Sequence, residues 1–175
     1  DTYFVVAHFH YTFFPIAIIG TFTAVTYWFP KMFGRFMNEP VGKLHFWLTF
    51  LAFNGIFLPL FVAGLGGDHR RIYDYNNFAM QGTPDLQWLR IIATLSLVVL
   101  LLSQVLFVVN FLYSIFWGKP APTNPWKANT LEWTTPENPP GHGNWSPETM
   151  PVCYRGPYEY AVPGRDDDYW PQNVP

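Results

Sequence analysis

The chain has 175 residues, of which 50% are hydrophobic, 20% aromatic and only 13% charged; a soluble domain carries about 25% charged residues, so this balance argues against one. A net charge of −2 and a pI near 6.2, with no block of like charge, leave no footprint for nucleic acid. The single cysteine, Cys153, excludes an internal disulfide framework and any multi-cysteine metal site.

The mean hydropathy of +0.07 averages two unlike parts. An apolar stretch runs to Trp117, and a polar tail from Gly118 holds 12 of the 17 prolines. The sequence opens at Asp1 directly before an apolar segment, with no basic n-region and no small-residue cleavage site. It is therefore read as the C-terminal part of a larger membrane protein, or as one piece of a subunit whose other piece is a separate chain.

Residues 2–30, 44–67 and 91–118 contain no Asp, Glu, Lys or Arg. About 20 residues at 1.5 Å rise cross the hydrocarbon core of a bilayer, and in lipid an isolated segment satisfies its backbone only as a helix. The fold class predicted is an all-α membrane protein with a three-helix transmembrane segment over 1–117, its helices at about 2–30, 44–67 and 88–117, followed by an extended Pro-rich tail over 118–175. Pro15 lacks an N–H and should bend the first helix near the preceding turn. Tyr113 and Trp117 are placed to anchor the third helix at an interface, and Trp28, Trp47 and Trp88 read as further anchors or as packing against a cofactor edge.

Loop charge gives the orientation. Lys31, Arg35 and Lys43 mark the first connection and Lys119 and Lys127 the start of the tail, which places both in the cytoplasm; Arg70, Arg71 and Arg90 in the second connection then face outward. Arg70 and Arg71 run against the trend and need a separate reason, or else they form an interfacial pair serving Asp68, Asp74 or lipid headgroups. The tail, with PAPTNP, PENPPGHG and GRDDD, is too rich in proline and too poor in apolar residues to build its own core and reads as a strap. Asp166 to Asp168 read as a solvated patch, and His45, His69 and His142 as ordinary interface or surface histidines.

His8 and His10 lie in DTYFVVAHFHY at the outer end of the first helix. Two residues apart on a helix means about 200° of rotation, so the imidazoles point to opposite faces and cannot chelate one ion. They suit two different cofactors, one on each side, with Phe9 directed into the gap between; the alternative is a pair of structural interhelical hydrogen-bonders.

DTYFVVAHFHY, TYWFPKMFGR, VGKLHFWLTF, the HRRIYDY stretch and NPWKANTLEW, in this order and spacing, closely resemble the C-terminal third of subunit I of the heme-copper oxidases, the cytochrome c oxidase type. The resemblance covers the three helices and reaches into the tail as far as PENPP. It implies the last three of twelve helices in the catalytic subunit of a respiratory terminal oxidase, which reduces oxygen to water with electrons from cytochrome c and couples this to proton translocation. By the same resemblance His8 matches the axial ligand of the high-spin heme and His10 one of two axial ligands of the low-spin heme, with Phe9 between them. Arg70 and Arg71 match the pair that binds heme propionates, and Asp1 matches a ligand of a magnesium site.

The implied cofactors are two hemes of the a type, copper beside the high-spin heme with its ligands outside this chain, and magnesium. The implied partners are a chain carrying the remaining helices, the copper electron-entry subunit, cytochrome c and lipid, in a bacterial cytoplasmic membrane. A quinol oxidase or nitric oxide reductase of the same superfamily, or a non-catalytic bundle, are the alternatives. The sequence departs from the family pattern where Asp68 and His69 replace Met-Pro before the Arg pair, where Phe61 replaces a His, and where Phe13, Phe14 and Pro15 replace Leu-Ser-Met.

Overall fold

The computed structural model describes residues 1–75, 85–135, 145–167 and 169–175, and within them each long apolar stretch is helical. Three helices are long and apolar enough to cross a membrane: α1 (Tyr3–Phe33, 31 residues), α2 (Glu39–Leu65, 27 residues) and α3 (Gln87–Trp117, 31 residues). Apart from these, the described chain contains one short 3-10 turn, Leu131–Trp133, and no strand, only two isolated bridges.

Pro15 does not break α1. An α-helical run Tyr3–Phe14 passes into a π-helical turn, Pro15–Ile19, and back into α-helix over Gly20–Phe33. Within the turn the Gly20 N–H donates to the Pro15 carbonyl five residues back, so the helix widens locally to absorb the missing proline donor.

The helices overrun the charge-free stretches because charge at a helix end need not face lipid. α1 continues through a buried Lys31 until Gly34, whose φ of 65° provides the left-handed stop. α2 starts at Glu39, which pairs with Lys43 one turn on at 2.7 Å. It ends in a Schellman motif, with Asp68 N–H donating to the Ala63 carbonyl (3.0 Å), Gly67 N–H to that of Gly64 (3.2 Å), and Gly67 at φ 89°.

The chain divides into two compact units, Asp1–Thr23 with Glu39–Phe111, and Ala24–Asn38 with Leu112–Pro175. In the first, α1 packs on α2 through Ala7, Ala52, Phe53, Ile56, Phe57 and Leu60, with Tyr3, Tyr11, Phe14 and Phe61 against them. Small residues allow the close approach: a Cβ on Gly64 would stand 2.0 Å from the Phe4 backbone nitrogen, and one on Gly55 2.4 Å from the Ser96 hydroxyl of α3. α2 and α3 also share a polar cluster. Thr49 and Ser103 hydroxyls lie 3.0 Å apart, and Gln104 Nε2 donates to Ser103 Oγ (2.8 Å) and to the Leu100 carbonyl (2.9 Å). His45, 5% exposed, reaches Gln104 Oε1 at 3.5 Å and is an interhelical residue. Such bonds contribute about 0.6 kcal/mol each in a membrane bundle.

In the second unit the tail is fastened to the Ala24–Asn38 segment. Lys31 Nζ donates to Thr135 Oγ1 at 2.6 Å and sits 5.2 Å from the ring of the buried Trp133. Trp126 donates its indole N–H to the Tyr27 carbonyl at 2.9 Å. Farther along, Tyr154 N–H donates to the Gln172 carbonyl and Gln172 N–H to that of Asn129, at 2.8 and 2.9 Å. Cys153 is exposed. His142, PENPP and Asp168 lie outside the described residues.

Candidate functional site

α1 carries the histidines in regular α-helix, so the opposite-face geometry holds. Their surroundings differ. His10 faces α2, with its ring centroid 4.5 Å from that of Phe57 at an interplanar angle of 18°. Its Nδ1 lies 2.8 Å from the Val6 carbonyl, which can only accept; Nδ1 therefore carries the proton and Nε2 keeps its lone pair. Such a second-nitrogen bond fixes the tautomer and orientation of metal-ligating histidines. His8 is exposed, and its imidazole makes no hydrogen bond with another described residue. Phe9 is 44% exposed and lies 4.2 Å from His10, centroid to centroid.

Residues 68–70 are held against the start of α1. Tyr3 N–H donates to the Asp68 carbonyl and Arg70 N–H to that of Asp1, both at 3.0 Å, around an antiparallel bridge between Thr2 and His69. This seam sets Asp1, Arg70 and Arg71 together at the end of the helix that carries both histidines.

Arg70 Nη2 pairs with Asp1 Oδ1 at 3.1 Å, while its buried Nε has no partner. A buried guanidinium N–H without an acceptor is costly, about 1–3 kcal/mol, and fits a site for an additional anionic oxygen. Arg71 is exposed with φ 66°. A left-handed non-glycine residue costs about 1–2 kcal/mol, the kind of strain that collects at functional sites. Asp1 has one carboxylate oxygen on Arg70, and no group of three or more His, Cys, Asp or Glu stands together among the described residues. Asp1 can thus provide at most one ligand of a metal site completed from elsewhere.

Arg90, which sequence reasoning assigned only to the loop charge, is the real partner of Asp68. The two stand 2.7 Å apart, with the Asp68 side chain 8% exposed. Arg90 Nη2 also donates to Gln87 Oε1 at 3.0 Å, and its guanidinium lies 4.5 Å from the Tyr75 ring centroid. Tyr75 donates to the His69 carbonyl (3.1 Å), so the 2.5 Å bond between the two phenols has Tyr3 donating to Tyr75. Burial, then the Tyr3 hydroxyl, push the Tyr75 phenol pKa well above its ordinary value. A lone arginine heading an otherwise charge-free helix was the available signal for this cluster.

Three departures from the family pattern find local roles here. Asp68 is neutralised by Arg90, Phe61 packs edge-on to Phe4 at 4.9 Å, and Phe14 stacks on Phe53 at 4.9 Å.

Residues 1–99 match the family described as cytochrome c and quinol oxidase polypeptide I. The chain belongs to this family. It is similar to the alternative cytochrome c oxidase subunit 1 of Bradyrhizobium diazoefficiens, with 43% identity over all 175 residues and 29% of the relative's length. It is also similar to cytochrome c oxidase subunit 1 of Synechocystis sp., 44% identical over 93% of this chain and 28% of the relative, and of Thermostichus vulcanus, 41% identical over 95% and 28%. The chain therefore spans less than a third of the length of these oxidase polypeptides, and its three apolar helices are those of an integral membrane protein.

Proposed function

We propose that this chain is the C-terminal three-helix part of the catalytic subunit of a terminal oxidase that reduces oxygen to water with electrons from cytochrome c and translocates protons. When bound, two hemes and a copper beside one of them supply the electron transfer and oxygen chemistry; the protein's part is ligation, charge pairing and burial. His10 offers an Nε2 lone pair to the low-spin heme iron, and His8, on the other face, offers an imidazole to the high-spin heme iron. The observation that carries this reading is the His10 Nδ1 bond to the Val6 carbonyl at 2.8 Å, because a ring so fixed is a ready-made ligand.

Phe9, between the two ligands in sequence, occupies the short path from one heme to the other. Arg70, through its unpartnered Nε, and Arg71, exposed and with a left-handed backbone, hold heme propionates on the outer side. Asp1 contributes one carboxylate to a magnesium site. The tail lies on the cytoplasmic side, as the loop lysines favour. The remaining helices, with the other low-spin ligand and the copper ligands, come from a partner chain or from further sequence, and the electron-entry copper from another subunit.

Optical spectroscopy of the assembled complex tests the assignment. His10→Ala should abolish low-spin heme absorbance, and His8→Ala should abolish carbon monoxide binding while sparing the low-spin band. Retention of both signals in both variants would refute it. Oxidation of reduced cytochrome c, set against oxidation of a quinol, identifies the donor.

A further inference from the structure

We infer that Phe57 is a positioning residue for the low-spin heme: a fixed aromatic plate that sets the plane of the His10 imidazole and lowers the reduction potential of the iron it ligates. The inference rests on His10 being that iron's ligand. The Val6 bond pins one ring atom of His10 and leaves the ring free to tilt. A buried phenyl face 4.5 Å away and within 18° of parallel removes that freedom. Phe9 also lies close, at 4.2 Å and 33°.

The plate is itself held. Phe57 contacts Phe53 at 4.9 Å and Tyr11 at 6.5 Å and 74°. The Tyr11 hydroxyl donates to Asn54 Oδ1 at 2.8 Å, and Asn54 Nδ2 donates to the Phe50 carbonyl at 2.8 Å. Every link from α2 to the imidazole is thus made by a packed ring or a directed hydrogen bond, as a pre-organised ligand requires.

Two consequences follow from elementary electrostatics. The plane of an axial imidazole determines how its π orbitals meet the iron d orbitals, and therefore the g-values of the ferric ion. The phenyl face is the negative pole of a quadrupole, so it favours the more positive, oxidised form of the ligated iron.

The test uses the complete membrane-bound complex. Phe57→Met keeps apolar volume without a ring, and Phe57→Tyr keeps the ring. With both hemes quantified by pyridine hemochrome, Phe57→Met should shift the largest g-value of the ferric low-spin heme and raise its midpoint potential. At fixed ambient potential the ratio of oxidised to reduced low-spin heme should fall about two- to tenfold, as expected for one lost aromatic contact. Phe57→Tyr should restore both readouts. Selective loss of the low-spin heme from the Met variant, with retention in the Tyr variant, also supports the plate. Unchanged g-values and potential in a heme-replete Met variant, or loss of the heme from both variants, overturns it. His10→Ala run in parallel separates the two levels: a low-spin heme that survives there refutes the ligation reading itself, whereas its loss there alongside an unaffected Phe57→Met refutes only the plate.

Discussion

Arg90 and Arg70 both meet an aspartate at the end of the first unit where α2 leads toward α3, yet they are bonded in different ways. Arg90 has Asp68 at 2.7 Å, Gln87 at 3.0 Å and the Tyr75 ring at 4.5 Å, and no buried donor of it is left without a partner. Arg70 shares an exposed Asp1 at 3.1 Å and leaves a buried Nε without an acceptor. Both histidines keep a free nitrogen: His10 is pinned at Nδ1 by the Val6 carbonyl yet retains its Nε2 lone pair, and His8 is exposed. A group whose bonding capacity is used up within the chain serves the fold, and one with a directed atom left over is available to something else. Net charge and sequence position do not separate these two arginines; the buried donor left over on Arg70 does.

The largest effect is expected from Arg90→Leu, which leaves the nearly buried Asp68 carboxylate without its cation. Discounted for the partly exposed arginine, the loss is about 2–3 kcal/mol, read as an earlier midpoint when the assembled complex is titrated with denaturant. Adding Asp68→Asn to it should recover part of the loss, and an unmoved midpoint in the single variant would show that Arg90 is not structural.

Tyr75→Phe comes next, at about 1 kcal/mol, because it removes the bonds to the Tyr3 hydroxyl and to the His69 carbonyl. The phenol also gives a pH dependence. Its folded pKa lies above its unfolded value near 10, so its contribution is fully present below pH 10 and is lost as pH rises through the higher, folded value. Stability measured against pH should fall on the alkaline side less steeply in Tyr75→Phe than in the wild type.

Arg71→Gly should stabilise the complex by about 0.5 kcal/mol, since relief of the left-handed strain outweighs the added chain entropy of glycine. It should at the same time weaken propionate binding, visible as a change in the infrared carboxylate bands of the reduced-minus-oxidised spectrum. Arg70→Gln should change stability least, by under about 0.5 kcal/mol, since its ion pair is exposed. Its infrared change should nevertheless be as large as that of Arg71→Gly. A stability loss as large as that of Arg90→Leu, with unchanged infrared bands, would make Arg70 a structural residue too.

The three apolar helices were legible in the sequence because charge is excluded from lipid, and Pro15 announced a local irregularity. Their ends were displaced by the same rule: Lys31, Glu39 and Lys43 ended the charge-free stretches early, yet each finds a partner at a helix end, in Thr135 or in one another. The opposed histidines followed from helical rotation alone. The Phe57 plate and the Arg90–Asp68 pair did not, since both depend on how one element is set against another, and nothing in a sequence period fixes that register. The arginine pair, Asp1 and the histidine roles came from the family resemblance; their local geometry came from the structure.

Gly64 acts as a stop on a sliding scale. The Phe4 backbone rests where a methyl group on Gly64 would have to be, within 2.0 Å of the Phe4 nitrogen. Phe4 lies four residues before His8 and six before His10, about 6 and 9 Å along the axis. The absent methyl therefore fixes how far along α2 both imidazoles stand. Any larger side chain at position 64 would lift or tilt the α1 backbone and carry the two rings with it together, altering where each lies against α2 without touching either one.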